Sequence, residues 1–211
     1  MSRFRADCPQ CGAQVEYGWS SSVQTTCEYC RSILVRRDID VERVGQTADL
    51  PLEVSPIQIR TEGIFEKRAF TVAGRIVYEW DGGGWNEWHL MFQDGKSGWL
   101  SDAQAEYFVS FAAKAPPKFP STGELERGER FEFEGRSYEV AVITRANYLA
   151  VEGELPFEYW DKERVFFADL RTPTGHFATI DYSEKPPLLF LGRAVEFDEL
   201  RLKNLREFEG W

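Results

Sequence analysis

The chain has 211 residues, 43% of them hydrophobic and 15% aromatic, with a formal net charge of −10 at pH 7. That composition excludes a disordered chain and is enough to bury the core of one or two domains. No apolar run approaches the roughly 18 residues that span a bilayer, and the opening MSRFRADCPQCG lacks the apolar stretch of an export signal, so a soluble, cytoplasmic protein with no direct membrane insertion is expected.

The charge is unevenly spread. Residues 1–37 hold five Lys/Arg against three Asp/Glu, a net of +2, so the remainder carries −12. Nucleic-acid affinity rests largely on Lys and Arg displacing condensed counterions, so an acidic body argues against a nucleic-acid partner. Cations, or the basic face of another protein, fit it better.

All four cysteines fall in the first 30 residues, as Cys8-Pro-Gln-Cys11 and Cys27-Glu-Tyr-Cys30, separated by 15 residues. This is the spacing of a zinc ribbon, in which each C-x-x-C puts two thiolates on one tight knuckle. AQVEY and VQTT read as strands around a GWSSS turn, so a hairpin between them is expected to bring both pairs to one Zn²⁺ ion. Disulfides do not suit a chain without an export signal, and a redox C-x-x-C belongs in a βαβ context that is absent here. Four thiolates fill the tetrahedron, so the zinc is expected to be structural, with Cys8, Cys11, Cys27 and Cys30 as its ligands. The ribbon, residues 1–37, also reads as a docking knob for a protein or, through Arg31, Arg36 and Arg37, as a weak nucleic-acid finger.

Residues 38–59 are polar and Pro-bearing without helical periodicity, which predicts a linker. A first β module follows over residues 60–112, where FTVAGRIVYEW and WHLMF are rich in β-branched and aromatic residues. Between them, DGGG reads as a hairpin turn. A phosphate-binding loop would hand its glycines to a helix N-terminus, whereas WNEWHLMF has strand character. Alternation places Trp88, Leu90 and Phe92 on one face and Glu87, His89 and Met91 on the other. A Pro-rich connector spans residues 113–124, and a second β module with a C-terminal segment spans 125–211. Phe70-x-Val72-x-Gly74-Arg75 echoes Phe131-x-Phe133-x-Gly135-Arg136 at an offset of 61, a weak internal repeat. Helical pattern is confined to SDAQAEYFVSFAAK and FDELRLKNLREF. The C-terminal segment is expected to pack on the second module, with LLFL as an inner strand. The fold class is mainly β with little helix: a zinc ribbon followed by two small β modules, each a bent sheet or open barrel.

The block GRIVYEW…WNEWHLMF…GWLS, with its Trp-x-Glu-aromatic-x-Leu pattern, together with VEGELPF and TGHFATIDYSEKPPLLFLGRAVEFDELRL, resembles a bacterial family catalogued as domain of unknown function 4178. The resemblance covers most of residues 60–205. Trp88 stands where the family more often has tyrosine. The family has no assigned activity; its members are similar to proteins found beside phage-shock-type membrane-remodelling proteins, polyamine aminopropyltransferases and small membrane channels. The resemblance therefore implies an accessory role in envelope stress and names no active site.

The leading functional expectation is a non-enzymatic adaptor, whose acidic body docks a protein partner with a basic face, such as a phage-shock-type membrane-remodelling protein or an associated ATPase. The alternative is a small-molecule protein for a polyamine-type cation, with Trp85, Glu87, Glu152 and Glu154 as candidate binding residues through charge and cation–π contacts. An enzyme reading would rest on Glu152 and Glu154, two apart on one strand face; the competing reading makes Gly153 and Pro156 a bend that ends the strand. His89 reads as a hydrogen-bonded structural residue.

Overall fold

The computed structural model describes residues 4–38, 40–49, 55–116, 119–159 and 164–208. Residues 50–54 of the expected linker, 117–118 of the connector and 209–211 of the C-terminal segment lie outside the described residues.

The first strands are β1 (Phe4–Asp7), β2 (Gln14–Tyr17), β3 (Gln24–Thr26), β4 (Ser32–Arg37) and β5 (Asp40–Gln46). The expected hairpin between AQVEY and VQTT does not form. Instead β2 pairs with β1, and β3 pairs with β4, so each C-x-x-C is the turn of its own hairpin. The reason is local: the carbonyl of Cys8 accepts the Gly12 amide at 2.8 Å and that of Cys27 accepts the Arg31 amide at 2.9 Å, and these turns send the chain straight back. Gly12 and Arg31 both take left-handed backbone angles, φ 74° and 58°. Residues 40–46, read as linker, form β5 along the edge of β4. An edge strand buries little on either face, which is why its sequence shows no clear period.

Ten further strands form one sheet. A first meander comprises β6 (Glu62–Phe65), β7 (Arg68–Trp80), β8 (Gly83–Phe92), β9 (Ser97–Ala103) and β10 (Glu106–Ala113). A second comprises β11 (Arg130–Phe133), β12 (Arg136–Gly153), β13 (Arg164–Arg171), β14 (His176–Asp181) and β15 (Leu188–Val195). Strand β10 pairs with β15, and β7 with β12. The path β7-β8-β9-β10-β15-β14-β13-β12 therefore returns to β7 and closes a ring, with β6 and β11 hanging from it.

The repeat is real, but its register differs from the expected one. Strands β6 and β7 join through Glu66 and Lys67, both at positive φ, as β11 and β12 join through Glu134 and Gly135. Phe65 thus corresponds to Phe133, an offset of 68, which aligns FEKRAFTVA with FEGRSYEVA. The same offset relates the bulge at Val72/Gly74 to the one at Val140/Val142. Glu79 faces Asn147, its own equivalent, across the seam, as a two-fold axis requires. The 61-residue offset fails because it matched the middle of β7 with the β11–β12 turn.

SDAQAEYFVSFAAK, read as helix, forms the end of β9, a two-residue turn at Gln104-Ala105 and β10. Phe108 and Val109 are both buried, so β10 is covered on both faces, and such a run carries no period that separates strand from helix. The C-terminal pattern yields only a 3₁₀ turn, Phe197–Leu200. It packs on the first meander and not on the second: fully buried Leu200, with Phe197, Leu202 and Leu205, joins Ile57, Phe65, Trp88 and Leu90. Strand β15 runs beside β10, so the chain leaves it over the first meander.

Both seams are tight. A Cβ on Gly192 would lie 1.9 Å from the Val109 carbonyl oxygen, and one on Gly74 would lie 2.1 Å from that of Glu154. Gly192→Ala should therefore force β10 and β15 apart and cost roughly 1–3 kcal/mol in chemical denaturation. Gly123→Ala, where nothing lies within 4 Å, serves as the neutral control. Equal stability of the two variants would show that the seam yields freely.

Candidate functional site

The two knuckles bring Cys8, Cys11, Cys27 and Cys30 together, with all four sulfurs within 4.8 Å of one another. Cys8–Cys30 and Cys11–Cys27 are each 3.7 Å apart, far beyond disulfide length. Metal–thiolate bonds of about 2.3 Å in a tetrahedron put sulfurs about 3.8 Å apart, so the cluster fits a single tetrahedral ion. Four protein ligands would leave such an ion no open position, so it would serve as a staple for the small ribbon core of Val15, Tyr17 and Leu34.

The second site is the interior of the ring. Along each strand one face turns outward into an apolar cluster and the other turns inward. Trp88, Leu90 and Leu100 face outward in the first meander, as Leu170, Ile180 and Leu189 do in the second. The positions between them face a cavity of about 50 Å³, lined by Glu87, Ser101, Ser110, Thr179 and Asp181 among rings that include Tyr78, Trp99 and Phe190. Among the described residues, no Lys, Arg or His lines it. Segment Glu154–Tyr159, between β12 and β13, supplies Phe157 and Tyr159 as one wall. Phe157 stacks on Trp99 with ring centroids 5.7 Å apart, and the Tyr78 hydroxyl meets that of Tyr159 at 2.5 Å.

Glu87 is the acid at the centre of this interior. Its Oε1 accepts the Trp85 indole N–H at 2.9 Å, and the Ser101 hydroxyl donates to Oε2 at 2.8 Å. Burial pushes its carboxyl up to about 8, and the charges of Asp169 and Asp181 act in the same direction. Asp169 is itself raised to about 6 by burial, although its Oδ1 accepts the Thr179 hydroxyl at 2.8 Å. Trp85 stacks on Tyr78 at 4.9 Å and meets Glu87 by its N–H edge, behind the cavity lining.

Of the four candidate binding residues, the fold brings Trp85 and Glu87 together and sends Glu152 and Glu154 elsewhere. Glu152 lies 3.7 Å from the guanidinium of Arg75, a buried residue that also donates to Asn86 Oδ1 at 2.9 Å. The Glu154 carboxylate accepts the backbone amides of Gly18 and Trp19 at 2.9 and 3.4 Å and so ties ribbon to barrel. His89 is fully buried: Nδ1–H donates to the Glu154 carbonyl at 2.9 Å, and Nε2 accepts the Ser97 hydroxyl at 2.6 Å. Burial lowers it to about 4, so it stays neutral. Sequence reasoning missed Ser101, Asp169, Thr179 and Asp181. Thr179 and Asp181 had a signal in the alternation of ATID, whereas Ser101 and Asp169 share their inward faces with Trp99 and with Val165 and Phe167, so no pattern marks them.

Glu87 gives the fold a pH dependence of definite sign. Its folded value, about 8, lies above the ordinary 4.5, so its stabilising contribution is complete below pH 4.5 and is lost as the pH climbs through 8. Melting midpoints followed from about pH 5 to about pH 9 should fall more steeply for the native chain than for Glu87→Gln between about pH 5 and 8, and the difference should stop growing above about pH 8. Parallel curves would show that Glu87 ionises alike in the folded and unfolded chain.

A family model described as "Domain of unknown function (DUF4178)" matches residues 58–197. No curated protein and no solved structure matches the chain. The match takes in both meanders and their seams and leaves out the four-cysteine ribbon. Because it spans well over half of the chain, the protein belongs to the domain of unknown function family DUF4178.

Proposed function

We propose that the protein is a non-enzymatic binding protein whose barrel interior receives the ammonium end of a small organic amine, and that its ribbon holds one structural Zn²⁺. The observation that carries the first part is Glu87: a buried carboxyl facing a cavity walled by aromatic rings, raised by burial and two further acids so that a cation beside it would draw off its proton, with no basic side chain among the described lining residues. An ammonium there exchanges its hydration for charge, hydrogen bonds and ring faces. A volume of about 50 Å³ holds roughly three or four water-sized groups, which suits one ammonium and the first carbons of a chain. A polyamine would leave its remaining nitrogens outside, toward a surface of net negative charge.

Zinc is favoured over other ions by the four-thiolate set and by the closed tetrahedral spacing. Metal analysis of the purified chain should give one zinc per molecule, and Cys11→Ser should abolish it. Retention of iron in its place would overturn the assignment.

Docking on a basic face of a partner, including a phage-shock-type membrane-remodelling protein or its ATPase in the cytoplasm, is a second reading, favoured by the net charge of −10. It needs no cavity, and the two readings separate in one titration. Calorimetry with n-butylammonium and with putrescine, each against an ionic-strength-matched sodium control, should show saturable binding to the native chain. Glu87→Gln should weaken it by about tenfold or more, the scale of one lost charged contact, while Glu152→Gln should leave it unchanged. Heats that vanish in the salt-matched control would remove the amine reading and leave the adaptor.

A further inference from the structure

The cavity wall and the metal cluster are joined by one short path. Segment Glu154–Tyr159 leaves β12 at Gly153 and is met by β3 of the ribbon. The Val23 amide donates to the Leu155 carbonyl and the Leu155 amide to the Gln24 carbonyl, each at 2.9 Å. The buried side chain of Gln24 grips Tyr159 at both ends: its Nε2 donates to the Tyr159 carbonyl at 3.1 Å, and its Oε1 accepts the Tyr159 amide at 2.8 Å. Glu154 accepts the Gly18 and Trp19 amides, and Glu158 pairs with Arg37. Gln24 stands three residues before Cys27, so the chain of contacts runs from the metal cluster through β3 to Tyr159, whose hydroxyl meets that of Tyr78 in the cavity.

We propose that the ribbon is a metal-dependent clasp on the cavity wall: metal bound by the four cysteines holds segment Glu154–Tyr159 in place and thereby sets the affinity of the barrel interior for its ligand. The proposal rests on the reading of that interior as a binding site. The ribbon's own core is a handful of side chains, too small to hold its strands without the metal, so loss of the ion releases β3. Released β3 leaves the backbone of Leu155 and Tyr159 without the hydrogen bonds it supplies inside a buried wall, which favours a loosened wall. Coupling of this kind is reciprocal, so a ligand that packs against Phe157 and Tyr159 tightens the metal site by the same factor by which the metal tightens ligand binding.

Hydrogen exchange on the full-length chain tests the clasp without any ligand. Removal of the metal by a chelator should speed exchange at Leu155 and Tyr159 by about tenfold or more, the scale of a hydrogen bond or two, while β8 and β9 keep their protection. Gln24→Ala retains all four cysteines and should speed exchange at Tyr159 with the metal still bound. A wall that keeps its protection after metal loss, or a Gln24→Ala chain whose Tyr159 exchanges as in the native protein, overturns the proposal. If the chelator unfolds the whole chain, the variant alone decides. Titration with n-butylammonium adds the functional arm: binding should weaken by about tenfold in Gln24→Ala, and unchanged binding overturns the clasp. Absence of binding to every form defeats the ligand reading, while the exchange data still decide whether metal and wall are joined.

Discussion

The close approach of two backbones at the β7–β12 seam is the constraint on which the rest of the architecture depends. Gly74 and Gly153 face each other there, and neither position has room for a side chain. Closure at this point turns two meanders into a ring, and the left-handed backbone of Gly153 turns the chain off β12 immediately afterward. Glu154 then docks by its amide on the Ala73 carbonyl at 2.7 Å, and its own carbonyl receives the His89 imidazole. The seam thus fixes where the segment carrying Phe157 and Tyr159 begins, and the ribbon fixes where it lies. Glu154, which an enzyme reading would use, and His89, read from the sequence as a structural residue, are both fastenings of this joint.

A polar interior in so small a barrel is energetically costly, and that cost gives it meaning. The outward faces of the strands bury two apolar clusters, and the inner face buries a third, with Ile76, Tyr78, Trp99 and Phe167, around its few acids. Filling that inner face with leucine would satisfy packing at no electrostatic penalty. Instead it holds Glu87 with a raised carboxyl, close to neutrality at physiological pH, beside Asp169 raised for the same reason. Carboxyls kept this way give up stability as they ionise, and a cation at the site, as proposed above, would offset that loss.

The four-cysteine cluster was legible because thiolate spacing is a local property: two C-x-x-C turns and a suitable separation already bring the sulfurs together. The strand pairing around it was not, because both ribbon hairpins are closed by knuckle hydrogen bonds that leave no mark in hydrophobic pattern. The turn at DGGG and the alternation of WNEWHLMF were legible for the same local reason, and they placed Trp85 and Glu87 on an inward face. Glu152 and Glu154 show the limit. Their two-residue spacing put them on one face of an ideal strand, but β12 ends at Gly153, and the residue after a left-handed turn points elsewhere. SDAQAEYFVSFAAK misled because a strand buried on both sides loses the alternation by which strands are recognised.

The two meanders repeat in hairpin, bulge and seam, and a repeat of that kind builds a shell of equivalent parts. The largest difference between the halves is the connection after the second strand. In the first, β7 passes to β8 through Asp81 and Gly82; in the second, ten residues separate β12 from β13. That insertion supplies the aromatic wall of the cavity and the surface that the ribbon grips. Equivalent positions serve closure of the ring, while the departure from equivalence serves the cavity. The added ribbon contacts the shell at that departure through β3, where a hydrogen-bonded clamp on Tyr159 reaches the interior in a single step. A ribbon that only decorated the barrel would have no reason to bury a glutamine against the backbone of a cavity-lining residue.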